Sequence, residues 1–366
     1  MLVGCVEEYN ASLPASESQV LVVEGTIVSD SLCTFYLSQT MPINNTVEVP
    51  YIDDATIQLK GTDGTLVSGS HIEDGTYQID VPKLNVAVQY SLVVNYNGDS
   101  YETDAQNPLS TTGLEKVEVI QESSASDVDI YVTTKRPDDA SQTQYFRWTY
   151  NETWEVKPAL NTCFYWDTET ESVLDAGHLV YPERGWRNGT CADIIVLSSS
   201  NYSNNQISKY KLYGIGNADR RLFVRYSTEI VQRSLSKAEY EYETERKKIS
   251  SDMGGLFTPL PSELPSNIHC TTGSKRAIGY VGCALDVVHY RLFINDGDVY
   301  VKKTSSSATT MSSADPDYPG ENEIYGRGYR VYMYIPDMEI TWALRSDLDL
   351  TLQSGVYFDK PIYWPN

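Results

Sequence analysis

The chain has 366 residues, of which 50 are acidic and 28 are basic, and its formal net charge is −22. A charge of this sign and size repels a phosphate backbone, so the composition excludes nucleic acid as an expected partner. No run of about 20 apolar residues occurs, which excludes a hydrophobic spanning helix, and the length suffices for two or three domains with buried cores.

The first residues have the form of a bacterial lipobox. Leu2, Val3 and Gly4 precede Cys5 in the order aliphatic, variable, small, cysteine, and we predict that Cys5 carries a lipid anchor. The hydrophobic stretch that precedes such a motif is missing, so we treat this piece as the end of a signal peptide and leave it out of the fold prediction. Polar sequence up to Ser18 is typical of a tether, which makes residues 1–18 one segment. A chance tetrapeptide is the alternative.

Residues 19–107 are predicted to form a small antiparallel β-sandwich. Apolar residues alternate with polar ones in short runs that end at turn dipeptides. Leu92 and Val94, for example, precede Asn97-Gly98, a dipeptide suited to a type I′ hairpin. The successive segments "VVEGTIVSD", "ATIQLKGTDG" and "DGTYQIDV" resemble the transthyretin-like or carboxypeptidase-regulatory sandwiches, which are Ig-like in architecture and are usually spacers or docking units.

The segment "NPLSTTG", from Asn107 to Gly113, combines Pro, Gly, Ser and Thr between patterned stretches and marks a domain boundary. Residues 113–366 then continue as a larger β-rich domain with one amphipathic helix, residues 236–253. Ser236 and Glu239 have the spacing of a capping box at its start. Ala238, Tyr242, Ile249 and Met253 are predicted to share the buried face. We therefore predict an all-β protein with two domains.

Six cysteines in an exported chain suggest disulfides. Without the lipid-bearing Cys5, five are left, so one must be free. The simplest assignment pairs neighbours along the chain, Cys163 with Cys191 and Cys270 with Cys283, and leaves Cys33 as a buried thiol in a strand. Spacing does not prove this pairing. A structural metal site is the alternative, but the chain has no C-x-x-C motif and its four histidines are scattered.

Two groups of residues are candidate binding sites. The first is an aromatic group beside and between two of the cysteines, whose flat rings suit stacking on a sugar, a peptide or a partner protein: Trp154, Phe164, Tyr165, Trp166, Trp186 and Arg187. Core packing is the alternative for this group. The second is the acidic stretch "DPDYPGENE", in which Asp315, Asp317, Glu321 and Glu323 could bind calcium if folded together, or form a solvated loop.

A longer stretch of the chain resembles a known family. The "SLSKAEYEY" helix, the "GGLFTPLPSELPSNI" connector, the "IGYVG" and "RLFI" strands and the ending "LTLQSGVYFDKPIYW" are similar to a Bacteroidetes surface lipoprotein family, domain of unknown function 4249. Glu7 and Glu8 also resemble the acidic export signal of such lipoproteins. The resemblance implies a protein anchored to the outer membrane at the cell surface, with a TonB-dependent transporter of the SusC type as its partner, and it implies no established chemistry.

We expect, on this basis, a non-catalytic accessory that binds substrate for the transporter or docks against it, without a cofactor. The chain has no G-x-S-x-G elbow, H-E-x-x-H helix or P-loop. Two alternatives stay open: a structural subunit of a larger outer-membrane assembly, and a surface hydrolase. A hydrolase would bring carboxylates, or a nucleophile and a base, together in one cleft.

Overall fold

The computed structural model describes residues 20–41, 49–252, 264–303 and 308–365. Strands account for 46% of the residues and helices for 11%, so the predicted all-β fold is confirmed. Cys5 and the tether of residues 1–18 lie outside the described residues. None of the helices in the described part of the chain is long and apolar enough to cross a membrane.

The strands run in chain order as follows. The first eight are β1 (Leu21–Val28), β2 (Ser31–Gln39), β3 (Thr56–Gly61), β4 (Leu66–Ser68), β5 (Ser70–Glu73), β6 (Thr76–Val81), β7 (Tyr90–Tyr96) and β8 (Asp99–Thr103). The next nine are β9 (Leu114–Ile120), β10 (Val128–Thr134), β11 (Tyr145–Val156), β12 (Phe164–Asp167), β13 (Ser172–Asp175), β14 (Gly185–Thr190), β15 (Ile195–Ser198), β16 (Tyr210–Ile215) and β17 (Arg225–Ser234). The last six are β18 (Ile268–Cys270), β19 (Ala277–Ala284), β20 (Val288–Asn295), β21 (Thr310–Ser312), β22 (Tyr329–Ile335) and β23 (Glu339–Leu344). The helices are α1 (Lys237–Asp252), α2 (Glu321–Gly326) and α3 (Arg345–Leu348).

The first β-sandwich, which we call sandwich 1, has two five-stranded sheets, β19-β1-β2-β6-β5 and β18-β8-β7-β3-β4. Alternate residues of both sheets point inward, and Phe35, Leu59 and Leu92 are fully buried between them. The hairpin between β7 and β8 turns at Asn97 and Gly98, whose φ angles are 51° and 80°. Both positive values belong to a type I′ turn, as the dipeptide predicted.

Sandwich 1 is completed by strands from the far side of the predicted boundary at residues 107–113. β19 pairs in parallel with β1, from Leu21 opposite Ala277 to Val28 opposite Ala284, and β18 pairs with β8. The division into residues 19–107 and 113–366 therefore does not separate two independent cores. The pairing of β1 with β19 could not be predicted from local patterns, because a parallel pair needs a long crossover and leaves no turn dipeptide between its two strands.

The second β-sandwich, sandwich 2, packs a sheet of order β14-β11-β17-β20, with β15 beside β11, against the three-stranded sheet β16-β10-β9. Its core contains Phe146, Trp148, Ile130 and Ile230, all of which are fully buried. The indole N–H of Trp148 donates to Oε1 of Gln232 at 2.9 Å, so the largest buried side chain of this core keeps its polar atom satisfied.

A third β-cluster contains the β12-β13 hairpin, the sheet β21-β23-β22 and the short helices α2 and α3. Trp166, Ile324, Val331 and Trp342 form its buried core. The Trp166 and Trp342 rings are tilted against each other with 5.8 Å between their centroids.

Helix α1 begins as predicted, because Ser236 Oγ accepts the backbone N–H of Glu239 at 3.1 Å. Its buried face differs from the prediction. Glu239, Tyr242 and Glu243 are buried, while Ala238 is exposed, and Met253 lies outside the described residues. The prediction is confirmed for Tyr242, and Ile249 is half-buried, but the helix also turns two charged side chains inward. The cause is a set of arginines opposite it, which periodicity along the helix does not reveal.

Both predicted disulfides are absent: Cys33, Cys163, Cys191, Cys270 and Cys283 are all unpaired thiols. Cys191 packs against the core of sandwich 2, whereas Cys163 directly precedes β12 in the third β-cluster. Cys270 is the last residue of β18. Cys283 lies in β19, six residues after Ala277, the first residue of that strand, and six residues of extended strand span about 20 Å. Cys33 is a buried thiol in β2, as predicted.

Native protein treated with a thiol reagent at about pH 8 should keep Cys33 and Cys283 unmodified, because only the thiolate reacts. Burial raises the pKa of Cys283 to about 12 and also raises the pKa of Cys33, so both thiols are neutral under these conditions. Mass spectrometry of the labelled, trypsin-cut protein measures this. Unreduced peptides linking Cys163 to Cys191 or Cys270 to Cys283 would contradict the unpaired state.

Candidate functional site

A cavity of about 530 Å³ lies where sandwich 1, sandwich 2 and α1 meet, and we call it the seam cavity. β1 and β2 form one side, β11 and β17 form another, and α1 contributes the third. Three arginines and three glutamates line it: Arg147, Arg233, Arg246, Glu24, Glu239 and Glu243. Their formal charges cancel.

Two of the arginines are placed by strand register. Arg147 on β11 lies directly opposite Arg233 on β17, so the two guanidinium groups stand side by side on one face of the sheet. Like charges in this position repel each other. The repulsion is relieved by α1, whose Glu239 and Glu243 are one helical turn apart on the face that covers the sheet.

Each arginine has its own carboxylate. Arg147 Nη1 donates to Oε1 of Glu243, and Arg233 Nη2 lies 2.6 Å from Oε1 of Glu239. Glu239 and Glu243 are both only 3% exposed. A buried carboxylate needs such a partner, since removal from water penalises the ionised form by several kcal/mol, on the order of the pair's mutual attraction.

The third pair connects the helix to sandwich 1. Arg246 Nη1 donates to Oε1 of Glu24 on β1 at 2.6 Å, and its Nε lies 3.5 Å from Oε2 of Glu243. Because Glu243 also pairs with Arg147, one chain of charges runs from β11 through α1 to β1. The seam charges therefore tie the two sandwiches to the same helix.

Burial and ion pairing shift the pKa values of the seam arginines in opposite directions. Burial lowers the pKa of Arg147, and the neighbouring Glu243 only partly offsets this. For Arg246 burial is again the largest effect, but the carboxylates of Glu243 and Glu24 outweigh it and raise its pKa. Burial also raises the pKa of the Tyr280 hydroxyl, which lines the same cavity. An arginine beside a carboxylate stays charged at neutral pH, so the pairs persist.

The chemistry available in the seam cavity is limited by this pairing. Three carboxylates line it, and converging carboxylates are one mark of a hydrolase, but each is held by a guanidinium group. Cys33 is the thiol that lines the cavity, and burial raises its pKa, which keeps the thiol neutral. The side chains are arranged as ion pairs that connect structural elements, rather than as an acid and a base placed for proton transfer.

A further buried carboxylate, outside the seam cavity, lies inside sandwich 2 and was not predicted. Glu152 accepts hydrogen bonds from Arg221 Nη1 at 2.7 Å and from the Tyr226 hydroxyl at 2.6 Å. The Tyr226 and Tyr213 hydroxyls are 3.0 Å apart, and burial raises the pKa of Tyr213 to about 12. This network satisfies a charge in the core. Glu152 lies four residues after Trp148 on β11, so both side chains point to the same, inward face of the sheet. This spacing was the one signal in the sequence for a buried Glu152.

The predicted aromatic group is divided by the structure. Trp154 on β11 lies opposite Arg187 on β14, and Arg187 Nη2 donates to Oε1 of Gln353 at 3.4 Å. Trp186, one residue earlier on β14, faces the other side of the sheet and meets the Trp364 ring edge-on at 6.4 Å. These residues share two strands but do not face one site.

The other three aromatic residues belong to the third β-cluster. Phe164 and Trp166 point into its core, and the Trp166 indole N–H donates to Oδ1 of Asn322 at 3.1 Å. Tyr165 points the opposite way and is 41% exposed. Core packing, the alternative to a ligand surface, therefore describes most of this group.

The acidic candidates for calcium do not converge. Asp315 Oδ2 accepts the backbone N–H of Ser312 at 2.8 Å, and Glu323 pairs with Arg327, four residues later on an exposed surface. Across the described ranges, no three side chains of the metal-binding types form a group that could hold an ion. Asp315 and Asp317 lie in an exposed loop, as the alternative had it, whereas Glu321 and Glu323 belong to the first turn of α2.

Comparisons with known proteins identify the family. No curated protein matches the chain. Among solved structures, a DUF4785 family protein from Legionella pneumophila is similar, with 10% sequence identity and a TM-score of 0.16. The match covers 58% of this chain and 52% of that one, so the chain spans about half the length of this neighbour. A family model described as "Domain of unknown function (DUF4249)" matches residues 6–287, well over half of the sequence. The chain belongs to the DUF4249 family.

Proposed function

We propose that this protein is a non-catalytic accessory that binds substrate for, or docks against, a SusC-type TonB-dependent transporter, and that a lipid on Cys5 anchors it at the surface of a Bacteroidetes-type outer membrane. Membership of the DUF4249 family and the motif that ends at Cys5 support the anchoring and the partner. Both are arguments by family analogy.

The observation that carries the non-catalytic role is the mutual pairing of the seam charges. The carboxylates that converge in the seam cavity, Glu239 and Glu243, are each held by an arginine. Pairs of this kind, spanning α1 and both sandwiches, favour a rigid frame over a reacting centre. A rigid frame suits a protein whose role is to present a surface to a partner.

The test is a pull-down of the lipidated, full-length protein from gently solubilised outer membranes of its own organism, followed by mass spectrometry. We expect one TonB-dependent barrel in a stoichiometric amount. Cys5→Ser is the matched control, because it removes the acylated thiol by a change of one atom; it should leave the outer-membrane fraction and recover no barrel.

A structural subunit of a larger outer-membrane assembly is the second candidate. It is favoured by the large apolar side chains that the third β-cluster exposes, since such groups are typical of protein contacts: Tyr165, Leu174, Met333, Ile335 and Met338. Recovery of several different subunits in the same pull-down would select this role. Recovery of no partner would contradict both roles.

A further inference from the structure

The two sheets of sandwich 2 are unequal. The five-stranded sheet β14-β11-β17-β20, with β15 beside β11, faces the three-stranded sheet β16-β10-β9. The edge strands β9 and β20 lie on the same side, because Gly113, just before β9, approaches the Val288 side chain that begins β20, and Thr111 N–H donates to Asp286 at 2.7 Å. The shorter sheet therefore leaves part of β20 uncovered.

The exposure of inward-facing side chains shows where the cover is missing. Val119 on β9 lies opposite Ile130, and both belong to the inner face, yet Val119 is 37% exposed while Ile130 is fully buried. Tyr290 on β20 lies opposite Ile230. Tyr290 is 40% exposed, whereas Ile230 is fully buried. Inner-layer side chains at both edges thus remain in contact with solvent.

Within the described residues, the main chain of the two edge strands has no further strand partner. Among the strands that the structure describes, β9 pairs with β10 alone and β20 pairs with β17 alone. An open depression of about 660 Å³ lies between the two edges, lined by Val119, Ile294, Asp298 and Tyr300 among others. An unpaired strand edge is a template for a further strand, and we call this place the edge slot.

We propose that the edge slot receives one extended strand of a partner protein, which pairs with β9 and buries alternate apolar side chains against Val119 and Tyr290. The added strand would give the shorter sheet its fourth member and cover β20. This is β-strand addition, in which main-chain hydrogen bonds contribute affinity and alternate side chains contribute specificity. The inference rests on the docking role proposed above and assigns it a surface.

Charge indicates which strand fits. Asp286, two residues before β20, accepts a backbone N–H at one end of the slot, and Asp298, three residues after β20, accepts the N–H of Asn295 at 2.7 Å at the other. The chain as a whole carries a formal charge of −22. The matching partner strand has valine-like residues at alternate positions and a lysine or arginine at each end.

The experiment uses a fluorescent peptide with the seven-residue length of β9, Lys-Val-Thr-Val-Thr-Val-Lys, and the full chain. We expect saturable binding by fluorescence anisotropy and slower hydrogen exchange at β9 amides. The matched peptide with glutamate at both ends should bind about tenfold more weakly or worse, because it meets like charge.

Variants locate the binding. Val119→Lys should weaken binding of the basic peptide about tenfold or more, because the strand would bury against a lysine of its own sign. Tyr290→Ser, a milder change, should also weaken it. Leu66→Lys is the control, since β4 is likewise an edge strand and Leu66 is 62% exposed; it should bind as the unaltered chain does.

Two results would overturn the proposal: no saturable binding of the basic peptide, or protection that falls outside β9 and survives Val119→Lys. A concentration-dependent dimer that Val119→Lys abolishes, with no peptide binding, would assign the slot to a second copy instead. If Val119→Lys protein loses the peptide but still recovers the barrel, the slot is not the docking surface and the accessory role stands. If unaltered protein binds the peptide but recovers no barrel, the accessory role fails and the slot stands.

Discussion

Glu243→Ala should lower the free energy of unfolding by about 3–5 kcal/mol, the range for removing one partner of a buried ion pair. The change leaves the guanidinium group of Arg147 largely buried beside Arg233 without its carboxylate. It also removes a neighbour of Arg246, which ties α1 to β1. Urea unfolding followed by tryptophan fluorescence measures the loss, because Trp148 lies in the core that the pair borders.

The matched control lies on the same helix. Glu241→Ala removes an exposed carboxylate 3.6 Å from Lys237, and such surface pairs contribute about 0.3–0.5 kcal/mol. A double variant, Arg147→Met with Glu243→Leu, should regain most of the stability, since apolar replacements of similar volume do not leave Arg147 buried without its carboxylate, and Arg246 keeps Glu24. If Glu243→Ala unfolded no more easily than Glu241→Ala, the seam pairs would not hold the sandwiches together.

Gly279→Ala should destabilise the protein by about 3 kcal/mol or more, combining a disfavoured backbone with a steric clash. Gly279 on β19 has a φ of +115°, and an added Cβ would lie 2.0 Å from the carbonyl oxygen of Val23. That carbonyl belongs to β1, the parallel partner of β19. The methyl group would push apart the pair of strands that completes sandwich 1.

Gly64→Ala is the control for the backbone effect alone. Gly64 has a φ of +93° but no atom within 4 Å of an added Cβ, so the expected loss is about 1 kcal/mol. Thermal unfolding of both variants measures the difference. Equal losses would mean that the β1–β19 contact is looser than described, and that sandwich 1 does not depend on the strand from residues 277–284.

Local patterns predicted the strands and turns of sandwich 1 well. Tyr90, Leu92 and Val94 lie at alternate positions and are buried, and Asn97-Gly98 makes the expected turn. Ser236 begins α1 where its hydroxyl predicted a helix start. These features depend on residues within a few positions of one another, so the sequence contains them directly.

The candidate site could not be predicted in the same way. Glu239 and Glu243 were visible as two acids one turn apart, but their burial depends on Arg147 and Arg233, which become neighbours only when β11 and β17 pair. The predicted cysteine pairs failed for a related reason. Proximity along the chain says little about proximity in space, and the two members of each pair lie on different elements.

What the sequence by itself determined is the all-β class, most of the hairpins, the start of the helix and the family. The tertiary structure alone decided that β19 completes sandwich 1, that α1 buries charge, and that β9 and β20 leave an edge slot. The physical reason is the separation along the chain of the residues that interact. Alternation and turn chemistry act between neighbours, whereas Arg147 and Glu243 are 96 residues apart and meet only after the sheets have formed.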